Sequence, residues 1–92
     1  MSEQERLYTV PLGKARAAQG YRRAKKAIRI IKEFAQRHMK GENVKISEGV
    51  NQAVWSRGAE KPPRRITVLI RKDEDGTIHV MLPTEAEKKE ES

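Results

Sequence analysis

Arg22, Lys25, Lys26, Arg29 and Lys32 recur at the three- and four-residue spacing that lines one face of a helix, with Arg23 at the boundary of that face. Like charges so spaced repel one another, and a merely solvated helix usually mixes signs to gain pairing. The cluster therefore calls for an anion. Phosphates along a nucleic-acid backbone answer through charge-assisted hydrogen bonds and counterion release. A second group, Arg57, Lys61, Arg64 and Arg65, surrounds Pro62-Pro63. Proline fixes the backbone in advance, so less entropy is lost when these arginines meet a phosphate or a stacked base. Trp55 precedes this group and has two open roles, core anchor or platform for a base, with core packing as the expectation. One Trp, one Phe and two Tyr are too few for a sheet that stacks several bases, so RNA would be recognised by shape and backbone.

Other chemistry is thinly supplied. His38 and His79 lie far apart, and neither belongs to a paired-histidine helix motif, so no metal site is expected. His38 reads as a packing or helix-end residue, and His79 as an outward-facing strand residue. Asp73-Glu74-Asp75 lacks the alternating oxygens of a calcium loop and reads as a solvated turn. There is no glycine-rich phosphate loop, no dinucleotide fingerprint and no cysteine. Catalysis, a cofactor and a small-molecule substrate are accordingly not expected. Absence of cysteine also suits a reducing, cytoplasmic setting.

These side chains must be positioned by a short chain. Its 92 residues allow one small domain, and a hydrophobic fraction of 36% leaves a modest core. Residues 1–40 carry 11 basic and 3 acidic side chains, residues 41–72 carry 7 and 3, and residues 73–92 carry 2 and 7. A cationic body thus precedes an acidic end, and the formal charge of +7 understates the body. No apolar run exceeds three residues, against about 20 for a bilayer span, so membrane insertion is not expected.

The spacing predicts a strand at Leu7–Val10 stopped by Pro11, a polar loop between Gly13 and Gly20, and a helix over Arg22–Lys40 ended by Gly41. A short strand at Asn43–Ile46 follows, then a helix of about three turns capped by Ser47 and reaching Arg57, with Gly58 as its stop. Two strands, Arg64–Lys72 and Thr77–Leu82, form a hairpin through the acidic turn. Antiparallel strands with one apolar face and an amphipathic helix make a two-layer α+β domain, β-α-β-α-β-β, with the helices on one side of the sheet. Residues 1–83 form this domain, and residues 84–92 read as an acidic, disordered tail. Once folded, the separate basic segments are expected to meet in one continuous surface.

Several of these segments, taken in order and spacing, resemble a known family. They are Leu7-Tyr8-Thr9-Val10-Pro11-Leu12, Arg23 to Phe34, Arg37-His38-Met39-Lys40, and Asn51 to Gly58 followed by Lys61-Pro62-Pro63-Arg64-Arg65. The family is the ribosomal large-subunit protein 31 family of archaea and eukaryotes, and the likeness covers residues 5 to 82. It implies an α+β structural protein without catalytic activity, bound to large-subunit rRNA near the nascent-peptide exit, beside other ribosomal proteins and within reach of nascent-chain factors. Its rRNA contacts would fall on the first-helix cations and on the arginines after Pro63. The short acidic tail points to an archaeal source. Two alternatives belong to other classes: a docking module that recruits a protein through the tail or hairpin, and a free DNA-binding regulator. The seven residues from Gly41 to Ser47 are too many for the turn of a helix-turn-helix, which weighs against the latter.

Overall fold

Alternation and helical periodicity translate directly into elements in the computed structural model, which describes residues 4–58 and 60–84. Strand β1 (Gln4–Pro11) leads through two short 3-10 turns, Gly13–Ala17 and Gly20–Arg22, into helix α1 (Arg23–Met39). Then come β2 (Val44–Ile46), α2 (Glu48–Trp55), β3 (Arg65–Lys72) and β4 (Ile78–Met81). The domain is α+β, as expected. Of the expected tail, all but Thr84 lies outside the described residues.

Sheet order is β1-β3-β4-β2. Pro11, which cannot donate to a ladder, ends a strand at the sheet edge, opposite Arg65. Beyond it, Leu12 N donates to Arg64 O at 2.7 Å and prolongs the pairing by one step. β1–β3 and β3–β4 are antiparallel, whereas β2 runs parallel to β4. The sheet is therefore mixed rather than wholly antiparallel. Three residues of β2 give too short an alternation to reveal its direction, which is set by the way α2 and β3 return the chain to β4.

Register determines the faces. Val10 opposes Ile66, Tyr8 opposes Val68, Ile70 opposes Val80, and Val44 and Ile46 pair with Ile78 and Val80. These residues, with Ala24, Ala27, Ile31, Ala35 and Met39 of α1 and Val50 and Val54 of α2, compose one core, so both helices cover the same side. The opposite side carries Leu7, Leu69 and Met81 in register across three strands. His79 also lies there and hydrogen-bonds Asp73 Oδ2 at 2.6 Å.

Local chemistry sets the ends of the elements. Ser47 caps α2 by accepting from Val50 N at 3.2 Å. This helix spans eight residues, shorter than the expected three turns, because Ser56 Oγ and Gly58 N take the carbonyls of Ala53 and Trp55 and turn the chain. Arg57 lies in that turn, and Gly58 adopts φ +96°. At the end of α1 it is Lys40, not Gly41, that takes the left-handed position, at φ +52°. Gly41 serves a different constraint, since a Cβ there would lie 2.8 Å from Ile78 Cδ1 in the core. The polar loop holds two 3-10 turns, and buried Ala15 pins the first of them to the core.

Lys40→Gly removes a side chain from a left-handed residue and should stabilise the fold by about 1 kcal/mol in urea denaturation, whereas Gly41→Ala should cost about 1–3 kcal/mol by overpacking. In the hairpin turn, Asp75 Oδ1 accepts from Thr77 N at 3.0 Å, and this hydrogen bond holds its carboxyl below the usual range. Its folded pKa is thus lower than its unfolded one. The contribution is complete above the ordinary carboxylate range and disappears as pH falls through the folded value. Thermal melts should show a steeper acid loss for the native chain than for Asp75→Asn, and parallel curves would contradict the assignment.

Candidate nucleic-acid interface

Burying one side of α1 forces its other side into solvent. Ala24, Ala27, Ile31 and Ala35 are all 0% exposed, and at 100° per residue Lys25, Lys26, Arg29 and Lys32 then point away from the sheet and are exposed. Arg22, at the N-cap, joins Lys25, Lys26 and Arg29 with Ala18 and Tyr21 around an open cleft of about 480 Å³. Lys32 continues the same face one turn further on.

The electrostatics of this cleft are unfavourable to the helix itself. A helix N-terminus carries partial positive charge and normally attracts acidic side chains. Here the first turn holds no acidic residue, no side chain caps it, and basic residues crowd it. Lys25/Arg29, Lys26/Arg29 and Arg29/Lys32 also repel at i,i+4 or i,i+3, by about 0.2–0.5 kcal/mol per pair. Among the described residues Glu5–Arg71 at 2.6 Å is an ion pair and Asp73–His79 is one only when the imidazole is protonated, and neither draws on α1. The opposite end differs. Arg6, Lys40 and Lys72 gather with His38 around a hollow of about 310 Å³, and Lys72 Nζ donates to the carbonyls of Met39 at 3.0 Å and Lys40 at 3.5 Å. Cations there complement the helix dipole, so fold stability alone accounts for them. It does not account for the N-terminal group.

Arg23 behaves differently from its neighbours. Its guanidinium donates to Ala18 O at 3.3 Å and Glu60 O at 3.4 Å, tying the loop before α1 to the linker after α2. Arg57, Lys61 and Arg64 are exposed along that turn and linker, and Pro62 is buried beneath them. Arg65 alternates with the inward Ile66 and therefore lies on the sheet side away from the helices. Arg23 thus links the loop that opens the α1 cleft to the linker that carries Arg57, Lys61 and Arg64, while Arg65 faces away from the helices.

Trp55 is 37% exposed and stands outside the core, contrary to the expectation of core packing. Val50 and Val54 occupy the inward side of α2, and Trp55, the last helical residue, is turned about 100° from Val54. Among aromatic residues, sequence reasoning overlooked Tyr21, which is 62% exposed at the cleft. The available signal was an aromatic residue between Gly20 and Arg22 in an otherwise polar loop. His38 does pack, stacked on Phe34 with ring centroids 4.1 Å apart.

Comparison with known proteins is consistent in direction. The family pattern described as Ribosomal protein L31e matches residues 3–77. Large ribosomal subunit protein eL31 of Methanothermobacter thermautotrophicus is 45% identical over 78 residues, covering 85% of this chain and 96% of the relative. The protein of the same name from Methanopyrus kandleri is 46% identical over 85% of this chain and 91% of its own length. That from Pyrobaculum calidifontis is 39% identical over 89% and 98%.

If the cleft cations strain the free protein, neutralising them should help it. Lys25→Ala and Lys26→Ala should leave stability equal or raise it by about 0.2–0.5 kcal/mol at low salt, an advantage that fades as salt is added. Arg23→Ala should instead cost about 1 kcal/mol, because it unties two carbonyls. Chemical denaturation at two salt concentrations checks both.

Proposed function

Because the chain belongs to the ribosomal protein L31e family, we propose that it is a structural component of the large ribosomal subunit, held there by rRNA phosphates on the cationic start of α1. The family is one of ribosomal proteins rather than enzymes, in agreement with the absence of catalytic motifs in the sequence. One observation carries the RNA reading. Basic side chains are gathered, without carboxylate partners among the described residues, at the helix end where they cost the fold stability. A polyanion converts that cost into affinity, because each neutralised phosphate releases counterions.

In this reading Arg22, Lys25, Lys26, Arg29 and Lys32 hold one stretch of rRNA backbone. Arg57, Lys61 and Arg64 hold another from the stiff linker, with Arg65 extending it from the first position of β3 on the far side of the sheet, Trp55 stands at the edge of that second contact, and Arg23 positions the loop between them. The sheet is left for neighbouring ribosomal proteins. A site near the nascent-peptide exit, within reach of nascent-chain factors, is the finer placement that the family likeness favours, with the cytoplasm as the compartment. Residues 1–83 act as one rRNA-binding domain. A DNA-reading helix-turn-helix is not supported, since β2 intervenes between α1 and α2.

Sedimentation of cell extract through a sucrose gradient tests the assignment, with co-migration with large subunits expected and a free pool at the top opposing it. For the isolated protein, log affinity for large-subunit rRNA should fall linearly with log salt. Lys25→Ala/Lys26→Ala should flatten that slope by about 0.7–0.9 per lost phosphate contact. An unchanged slope would remove α1 from the interface.

A further inference from the structure

An exposed aromatic ring in a polar cleft is wasted as core material. Tyr8 and Phe34 meet edge to face at 5.5 Å, Phe34 stacks on His38 and Tyr8 lies tilted against the same ring, whereas Tyr21 is left 62% exposed. Its position is nevertheless held firmly. Arg22 N donates to Gln19 O at 2.7 Å, and Arg23 N donates to Gly20 O, closing the turn that carries the ring. The Arg23 guanidinium then anchors that turn to Ala18 and Glu60. The Arg22 guanidinium lies 5.4 Å from the ring centroid, within cation–π range. Lys25, Lys26 and Arg29 line the same cleft, whose 480 Å³ falls within the size of ordinary ligand sites, about 300–1,000 Å³.

A pre-ordered aromatic face beside several cations is the arrangement that captures an unstacked nucleotide, with the base on the ring and its phosphates on the cations. Paired A-form RNA hides its base faces within the stack and can use only the cations. We infer that Tyr21 is the platform for a single unpaired nucleobase of the bound RNA, whose flanking phosphates meet Lys25, Lys26 and Arg29. This inference rests on the rRNA-binding reading and adds to it the local form of the RNA. A stacking face is tolerant of base identity, so the site selects an unpaired nucleotide rather than a sequence.

Two RNA hairpins of equal length and charge test it with the full chain at low salt, one fully paired and one with a single bulged 2-aminopurine. The native protein should prefer the bulged hairpin by about tenfold, the order expected for one stacked base, and should quench its fluorescence. Tyr21→Phe should keep both effects. Tyr21→Ala and Tyr21→Leu should lose both while retaining affinity for the paired hairpin and its salt dependence, with unchanged thermal melts. Lys25→Ala/Lys26→Ala should weaken both hairpins alike. Salt-dependent binding without preference for the bulge, or a preference that survives in Tyr21→Leu, overturns the platform and leaves the rRNA reading intact. Failure of the native protein to bind either hairpin overturns both.

Discussion

Close contact between one helix and one sheet is the constraint on which the molecule depends. Ala24, Ala27 and Ala35, with Ile31 among them, are sealed against Val10, Val68, Ile70, Ile78 and Val80. Small side chains let the helix sit close to the strands, and native packing density leaves little freedom to rotate it. A rotation of one residue would swing Lys25 or Lys26 toward the core, where an unpaired charge costs far more than the fold can spare. The orientation that fills the core therefore also dictates which side chains form the cleft. Core packing and charge display are two sides of the same helix.

That coupling gives the two ends of α1 different meanings. At the C-terminus Lys72 Nζ satisfies the carbonyls of Met39 and Lys40 and, with the Lys40 side chain, complements the helix dipole, and no partner need be invoked. At the N-terminus the same kind of residue opposes the dipole and its own neighbours. Counting cations would treat the ends alike, whereas the sign of their interaction with the fold separates them. Membership of the L31e family supplies the setting in which the second arrangement makes sense, a subunit built largely of polyanion.

Long periodic stretches could be read from the sequence, and short or context-dependent ones could not. Helix α1 and the β3–β4 hairpin announced themselves because the inward Ala24, Ala27, Ile31, Ala35 and Met39 in one and alternating Ile66, Val68 and Ile70 in the other repeat a signal several times. The direction of β2 did not, because three residues carry no orientation. A helix-ending glycine is expected in the left-handed position, yet Lys40 takes it and Gly41 answers instead to close packing against Ile78. Core packing is the expectation for Trp55, but it stands about 100° around α2 from the inward Val54 and stays at the surface. The first-helix cations were evident from spacing, whereas the direction faced by Arg65 depended on the register of β3, and the exposure of Tyr21 on a 3-10 turn that its loop composition did not reveal.

Residue-level protection in the assembled particle tests the central claim most directly. Lysine acylation read by mass spectrometry on intact large subunits, compared with the free protein, reports each amine separately. Lys25 and Lys26 should lose most of their reactivity on assembly and regain it when the rRNA is digested. Equal reactivity of Lys25 and Lys26 in the free and assembled states would contradict a phosphate-facing start of α1.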